Sequence, residues 1–130
     1  MAKRKIIFDP GQFRSGCPIA STLDLIGDRW TLVVLRDLVN GKTRFTEFLD
    51  SPEHIASNIL SARLEAMERH GLVVSKAYQA RPVRLAYTLT PSGAALLPLL
   101  QQVCRWGEAH LPKRWHAPDA FMNKTPADLV

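Results

Sequence analysis

Ser57, Asn58, Ser61, Ala62 and Glu65 recur at spacings of one, three, one and three within HIASNILSARLEAMERHG. On a helix they lie away from the stripe formed by Ile59, Leu60, Leu64 and Met67. A merely solvated helix face, in a chain with 17 Lys and Arg, would normally carry long charged side chains. These side chains are short, and only Glu65 is charged. Short polar groups let a helix backbone come close to base edges in a DNA major groove, where Asn can pair with adenine and Ser can bond to several edges. Arg63 flanks the same face, and its guanidinium fork suits a phosphate or a guanine edge. Glu65 fits less well, because a carboxylate repels phosphate; it either accepts from a cytosine amino group or orients Arg63 or Arg69. The plainer alternative is an ordinary solvated helix that happens to carry serines.

A second candidate contact surface follows in YQARPVRLAYTLT, where strand-like residues surround a tip holding Arg81, Pro82 and Arg84. A tip that only reversed the chain would be better made from Asn and Gly. No Asp or Glu occurs between Glu68 and Glu108, whereas Arg69, Lys76, Arg81, Arg84 and Arg105 all lie there. Positive charge is thus concentrated around this hairpin. Arg81 suits the minor groove, where negative potential is strongest when the groove is narrow. Arg84 and Lys76 are placed for phosphate.

Several elements must hold these residues. CPIASTLDLIG predicts a short helix with Ile19, Leu23 and Ile26 on one side, closed by Gly27, and Asp28 is placed to cap the next. RWTLVVLRDLVNG predicts a buried scaffold helix ended by Gly41, where positive φ is cheap. Phe45, Phe48 and Leu49 mark a short helix stopped at Ser51 and Pro52. The helix of Ser57 ends at Arg69, His70 and Gly71. Two strand-length runs form a hairpin over about residues 72–90. A helix from Thr90 and Pro91 runs to about 108, bent or divided at Pro98. The Pro-rich remainder, 113–130, reads as an irregular tail. Two short helices joined by a turn and followed by a hairpin make a winged helix-turn-helix, an α+β and mainly helical fold.

Composition narrows the function. At 130 residues and 46% hydrophobic, the chain is sized for one domain with one core. Its formal charge of +5 favours an anionic partner. The apolar runs are too short to cross a bilayer, and Met1 to Phe8 carries charges rather than an apolar core, so a cytoplasmic protein without membrane association is expected. Cys17 and Cys104 have no metal-ligand spacing, and the four histidines are scattered, so no metal and no cofactor are expected. No phosphate loop, nucleophile elbow or paired carboxylates at metal spacing point to an enzyme.

CPIASTLDLIGDRWTLVVLRDLVNGKTRFTEF, IASNILSARLEAMERHGLV and YTLTPSGAALLPLLQQVCRWG closely resemble the HxlR-type bacterial transcriptional regulators, relatives of the MarR group. The likeness runs from about Cys17 to Gly107. It implies a homodimer on a pseudo-palindromic double-stranded operator, with Ser57, Asn58, Ser61, Ala62 and Arg63 in the recognition helix and the hairpin as wing. The dimerisation helices it implies are those near Pro18, with Ile19, and near Leu96, Leu99, Leu100, Val103 and Trp106. One helix face cannot hide that many apolar side chains within a protomer, which agrees with burial between two. Ala56 departs from the serine that many members carry at this helix start, so the usual side-chain cap is missing and Ser57 or a water must substitute. Cys17 matches an N-terminal cysteine that senses oxidants or electrophiles in some members. A helix N-terminus, with Arg14 nearby, would favour its thiolate, while small buried cysteines are often only packing. Cys104 is expected to be structural. A small-molecule effector is a further candidate partner. The competing function is a winged-helix protein-interaction module without sequence-specific DNA binding.

Overall fold

The computed structural model describes residues 8–130; the basic leader, Met1 to Ile7, lies outside them. Helices α1 (Pro18–Ile26), α2 (Thr31–Val39), α3 (Phe45–Leu49) and α4 (Ser57–Arg69) precede a hairpin of β1 (Val73–Ala80) and β2 (Val83–Leu89), and α5 (Pro91–Ala94), α6 (Leu97–His110) and α7 (Asp119–Met122) follow. A helical domain with one two-stranded antiparallel sheet is the winged-helix arrangement expected from the element order.

The core forms where the apolar stripes converge. Val34, Leu35 and Val39 of α2 meet Phe48 of α3, Leu60, Leu64 and Met67 of α4, Val73 of β1, and Leu97 and Leu100 of α6, all buried. Asp28 caps α2 as expected, accepting from the Trp30 and Thr31 amides and the Thr31 hydroxyl. Gly41 (φ 96°) and Gly71 (φ 76°) occupy the left-handed region after α2 and α4, where a side chain would be strained. Pro98 lies in the first turn of α6, where its missing N–H costs nothing, and the expected division falls between α5 and α6.

A buried polar network clamps the turn before α4 onto α2. Asp37, 4% exposed, accepts from the Ser51 hydroxyl and from Arg36. The two terminal nitrogens of Arg36 also grip both oxygens of Glu53, at 2.7 and 2.8 Å. The Glu53 hydrogen bonds, against a smaller loss from burial, hold the guanidinium more firmly protonated than usual. A guanidinium bonded to two carboxylates offsets the cost of enclosing Asp37.

The C-terminal stretch differs from the irregular tail read in the sequence. It carries α7 and a final 3-10 turn over Pro126–Leu129, and Phe121 is buried in the core. Gln101, itself buried, donates to the carbonyls of Phe121, Met122 and Lys124, and the Lys124 amine reaches the Val39 carbonyl at 3.0 Å. The segment is fastened to both α6 and the end of α2.

Candidate nucleic-acid interface

With Leu60, Leu64 and Met67 turned inward, α4 presents Ser57, Asn58, Ser61, Ala62 and Glu65 on the exposed side. Ile59, expected among the inward residues, is 37% exposed, because it lies a quarter turn away from the Leu60–Leu64 line. Arg69 joins the outward row, four residues beyond Glu65, and is exposed. The helix starts at Ser57, after Ala56 in extended geometry (φ −68°, ψ 144°) and without a side-chain cap, so Ser57 does not substitute for the missing serine. The first-turn amides at this exposed end therefore have no side-chain acceptor and suit an anion.

Arg63 stands apart from the short polar face. Its guanidinium lies 3.5 Å from Asp28, which ties α4 to the start of α2. Burial raises the Asp28 pKa, but bonds from Thr31 and the Trp30 amide, with the Arg63 charge, outweigh it and leave the carboxyl below its ordinary range. Arg63 is thus already partly engaged before any ligand arrives.

At the other end of α4, Glu68 accepts from both the amide and the hydroxyl of Ser75, at 2.8 to 3.1 Å. The recognition-type helix and the hairpin are joined directly by this carboxylate. The hairpin has a second anchor that the sequence did not reveal. Arg44 forms a bridge to Ala86, and the Tyr87 amide donates to the Thr43 carbonyl at 2.8 Å. The Arg44 guanidinium stacks 4.0 Å over the Tyr78 ring, so the outer half of the hairpin gains an added cation and an exposed aromatic face.

Register places the basic side chains of the hairpin. Val73 pairs with Leu89 and Ser75 with Tyr87 on the core-facing side, so Lys76 opposite Ala86 and Arg84 opposite Gln79 face away from the core. A shift in register between Ala77 and Gln79 sets Tyr78 out of the ladder. Arg81 lies in the turn, and Lys76, Arg81 and Arg84 are all exposed.

The profile of the HxlR-like helix-turn-helix family matches residues 25–115. The chain belongs to this family. The HTH-type transcriptional regulator YdeP of Bacillus subtilis is 36% identical over 95 residues, covering 73% of this chain and 74% of YdeP. Among solved structures, the redox regulator HypR in its reduced form superposes with a TM-score of 0.68 at 32% identity, over 74% of this chain and 95% of HypR. The reduced form of the transcriptional regulator YodB from B. subtilis gives 0.62 at 28% identity, over 78% of this chain and all of YodB at 100%. The protein is a helix-turn-helix transcriptional regulator of the HxlR type, and its relatives are DNA-binding regulators, not enzymes.

The residues expected at a dimer interface divide into two groups. Ile19, Leu99, Val103 and Trp106 are exposed to 72, 41, 49 and 60%, and Leu23 joins Ile19 on α1 at 51%. Leu100 is 5% exposed and belongs to the protomer's own core, against which Leu96 is also packed. The reason is helical phase: Leu97 and Leu100 define the inward line of α6, and Leu99, Val103 and Trp106 fall on the outward one.

Cys17 is exposed at the N-terminal end of α1, and the helix has no side-chain cap there. Arg14, expected beside the thiol, is instead bound to Asp24 through Nε at 2.5 Å and to the Ala20 carbonyl. Cys104 is half-buried and packs against the core; burial, with Glu108 nearby, pushes its thiol pKa up. That agrees with a structural role. Among the described residues no cluster could hold a metal ion, and no helix is long and apolar enough to cross a membrane.

Proposed function

We propose that the protein is a homodimeric repressor that binds an inverted-repeat operator, with one α4 in the major groove of each half-site and the adjoining hairpin as wing. The observation that carries this reading is the short polar outer face of α4 held rigidly beside outward-facing Lys76, Arg81 and Arg84. Ser57, Asn58, Ser61 and Ala62 meet base edges, Asn58 offering paired bonds to adenine. Arg63, once drawn from Asp28, serves a phosphate or a guanine. Arg81 enters the minor groove and Arg84 and Lys76 contact phosphate. The uncapped start of α4 supplies backbone amides to a further phosphate.

Dimerisation uses the exposed apolar residues of α1 and α6, Ile19, Leu99, Val103 and Trp106. Two recognition helices about 34 Å apart then read half-sites on one face of the duplex. Cys17 is a candidate redox switch: it is exposed on the helix that bears Ile19, so its modification by an oxidant or electrophile would bias the dimer between arrangements of different operator affinity. The solved relative HypR is a redox regulator, which supports this assignment. A small molecule is a second candidate signal.

A fluorescence-anisotropy titration of the purified protein tests the reading. DNA from the protein's own upstream region should bind more tightly than random duplex, and both affinities should fall steeply with salt as counterions are released. Equal affinity for the two duplexes would remove sequence-specific recognition. A salt-insensitive association would instead point to a protein-interaction module.

A further inference from the structure

A cleft of about 540 Å³ opens between the end of α2, the turn before α4, one side of α6 and the segment from Lys113 to Pro118. This volume is within the range of sites for small organic ligands. Its walls are chemically divided. Val103, Cys104 and Phe121 provide an apolar side, and Trp115, 79% exposed, adds a large aromatic face at the rim. The raised thiol pKa keeps Cys104 neutral on that side.

The polar side has unequal charge. Of its acids, Glu53 is held by Arg36, and Glu108 accepts from the Ala117 amide with Nδ1 of His116 2.8 Å away. Lys113 and Arg114 also line the cleft, and neither has a carboxylate partner among the described residues. The cleft is therefore apolar on one wall, with two cations on another that have no direct carboxylate partner among the described residues.

Its position adds a consequence. Every guanidinium nitrogen of Arg36 is already bonded, to Glu53 or to Asp37. These bonds use four of its five N–H donors, so a ligand carboxylate that grips Arg36 through two of them does so in exchange for Glu53. Glu53 belongs to the turn that leads into α4, so that exchange removes one of the ties between this turn and α2, leaving the Ser51–Asp37 bond and the Arg63–Asp28 pair to hold the rest.

We propose, resting on the regulator reading above, that this cleft is an effector site for small aromatic carboxylates, whose binding exchanges with Glu53 on Arg36 and lowers operator affinity. The ring lies against Trp115 and the apolar wall, and Lys113 and Arg114 draw in the carboxylate. A ligand alters DNA binding only through its unequal affinity for the clamped and unclamped states, and the Glu53 exchange supplies that inequality.

Isothermal titration of the full-length protein with 2-naphthoate, and with neutral 2-naphthamide, tests the site without DNA. Naphthoate should bind saturably, one per protomer, and the amide on the order of tenfold more weakly or worse, a single lost charge contact being worth roughly that factor. The exposed double variant Lys113→Ala with Arg114→Ala should weaken naphthoate by about tenfold or more. Gly107→Leu, placed where an added Cβ meets only Leu111 at 4.0 Å, should fill the cleft and abolish binding while retaining the helix. Glu53→Gln should tighten naphthoate binding, because the competing carboxylate is gone. Operator affinity of the wild type should fall by roughly 5- to 150-fold at saturating naphthoate, the usual span of allosteric coupling. Absent saturable binding, equal binding of acid and amide, or indifference to Gly107→Leu would overturn the site. Binding that leaves operator affinity unchanged would overturn the coupling. Failure of the regulator reading shows separately, as no operator preference in the ligand-free protein.

Discussion

Trp106→Ala and Leu100→Ala, six residues apart on one helix, should fail in different ways. Trp106 is 60% exposed in the protomer, whereas Leu100 is 5% exposed. A tryptophan offers up to roughly 250 Å², so about 150 Å² of Trp106 is left for a partner to cover. At ~25 cal/mol per Å² that is close to 4 kcal/mol per protomer, and an upper bound near 8 kcal/mol for the symmetric pair. Imperfect burial and side-chain ordering reduce this, so Trp106→Ala should raise the dimer dissociation constant by about 10²- to 10⁴-fold. Its effect on the folding of an isolated protomer should be under about 1 kcal/mol, as for other exposed sites. Leu100→Ala instead leaves a cavity, at a cost of roughly 2–5 kcal/mol of protomer stability. Analytical ultracentrifugation over a concentration series reads the first effect. Urea unfolding below the wild-type dissociation constant reads the second. A Trp106→Ala protein that dimerises like the wild type would refute assignment of the outward face of α6 to the dimer. Equal protomer destabilisation by the two variants would refute the division of α6 into two faces.

Three further outcomes are expected. Asn58→Ala should cost about 1–3 kcal/mol at one base position and relax preference there, whereas Arg81→Ala should weaken all duplexes and reduce the salt slope by about one; competition titrations with single-base operator variants separate the two. Cys17→Ser should retain operator binding under reducing conditions and lose any response to oxidant, as read by gel shift with and without diamide; an unchanged response would exclude Cys17. Because the Asp28 carboxyl lies below its unfolded value of 3.8, its contribution to stability is present above that value and is lost as pH falls through the folded pKa. Asp28→Asn should therefore be less stable than wild type in urea at pH 7, with the gap narrowing toward pH 3; a gap independent of pH would show that the charge is irrelevant.

The elements of the winged helix were legible because their signals are local. The Leu60, Leu64 and Met67 stripe, Gly41 and Gly71 after their helices, and Pro98 at a helix start each act within one or two turns of chain. What escaped depends on partners distant in sequence. The Arg44 bridge to Ala86 joins residues that no periodicity connects. Phe121 in the core, Gln101 twenty residues away and Lys124 reaching Val39 make α7 part of the fold, and a four-residue helix has no period to read. The division of Leu99 from Leu100 was likewise hidden, because seven apolar residues from Leu96 to Trp106 do not declare which line of α6 faces inward. Among site residues, the outward face of α4 and the basic hairpin followed from residue type. The Arg14–Asp24 and Arg63–Asp28 pairs did not, since a sequence does not rank the partners open to a long side chain.

The Glu68 bonds to Ser75 have a consequence for the proposed operator. They fix the offset between α4 and the hairpin before the protein meets its target, so the pair behaves as a gauge of set length rather than as two independent probes. Inserting one base pair between the groove segment under α4 and the flank under the hairpin displaces them by about 3.4 Å along the duplex and rotates them by roughly 34°. A stiff gauge cannot follow that change. Operators should therefore tolerate base substitutions under the hairpin far better than insertions beside it, and Glu68→Ala, by slackening the joint, should make the protein less exacting about that spacing.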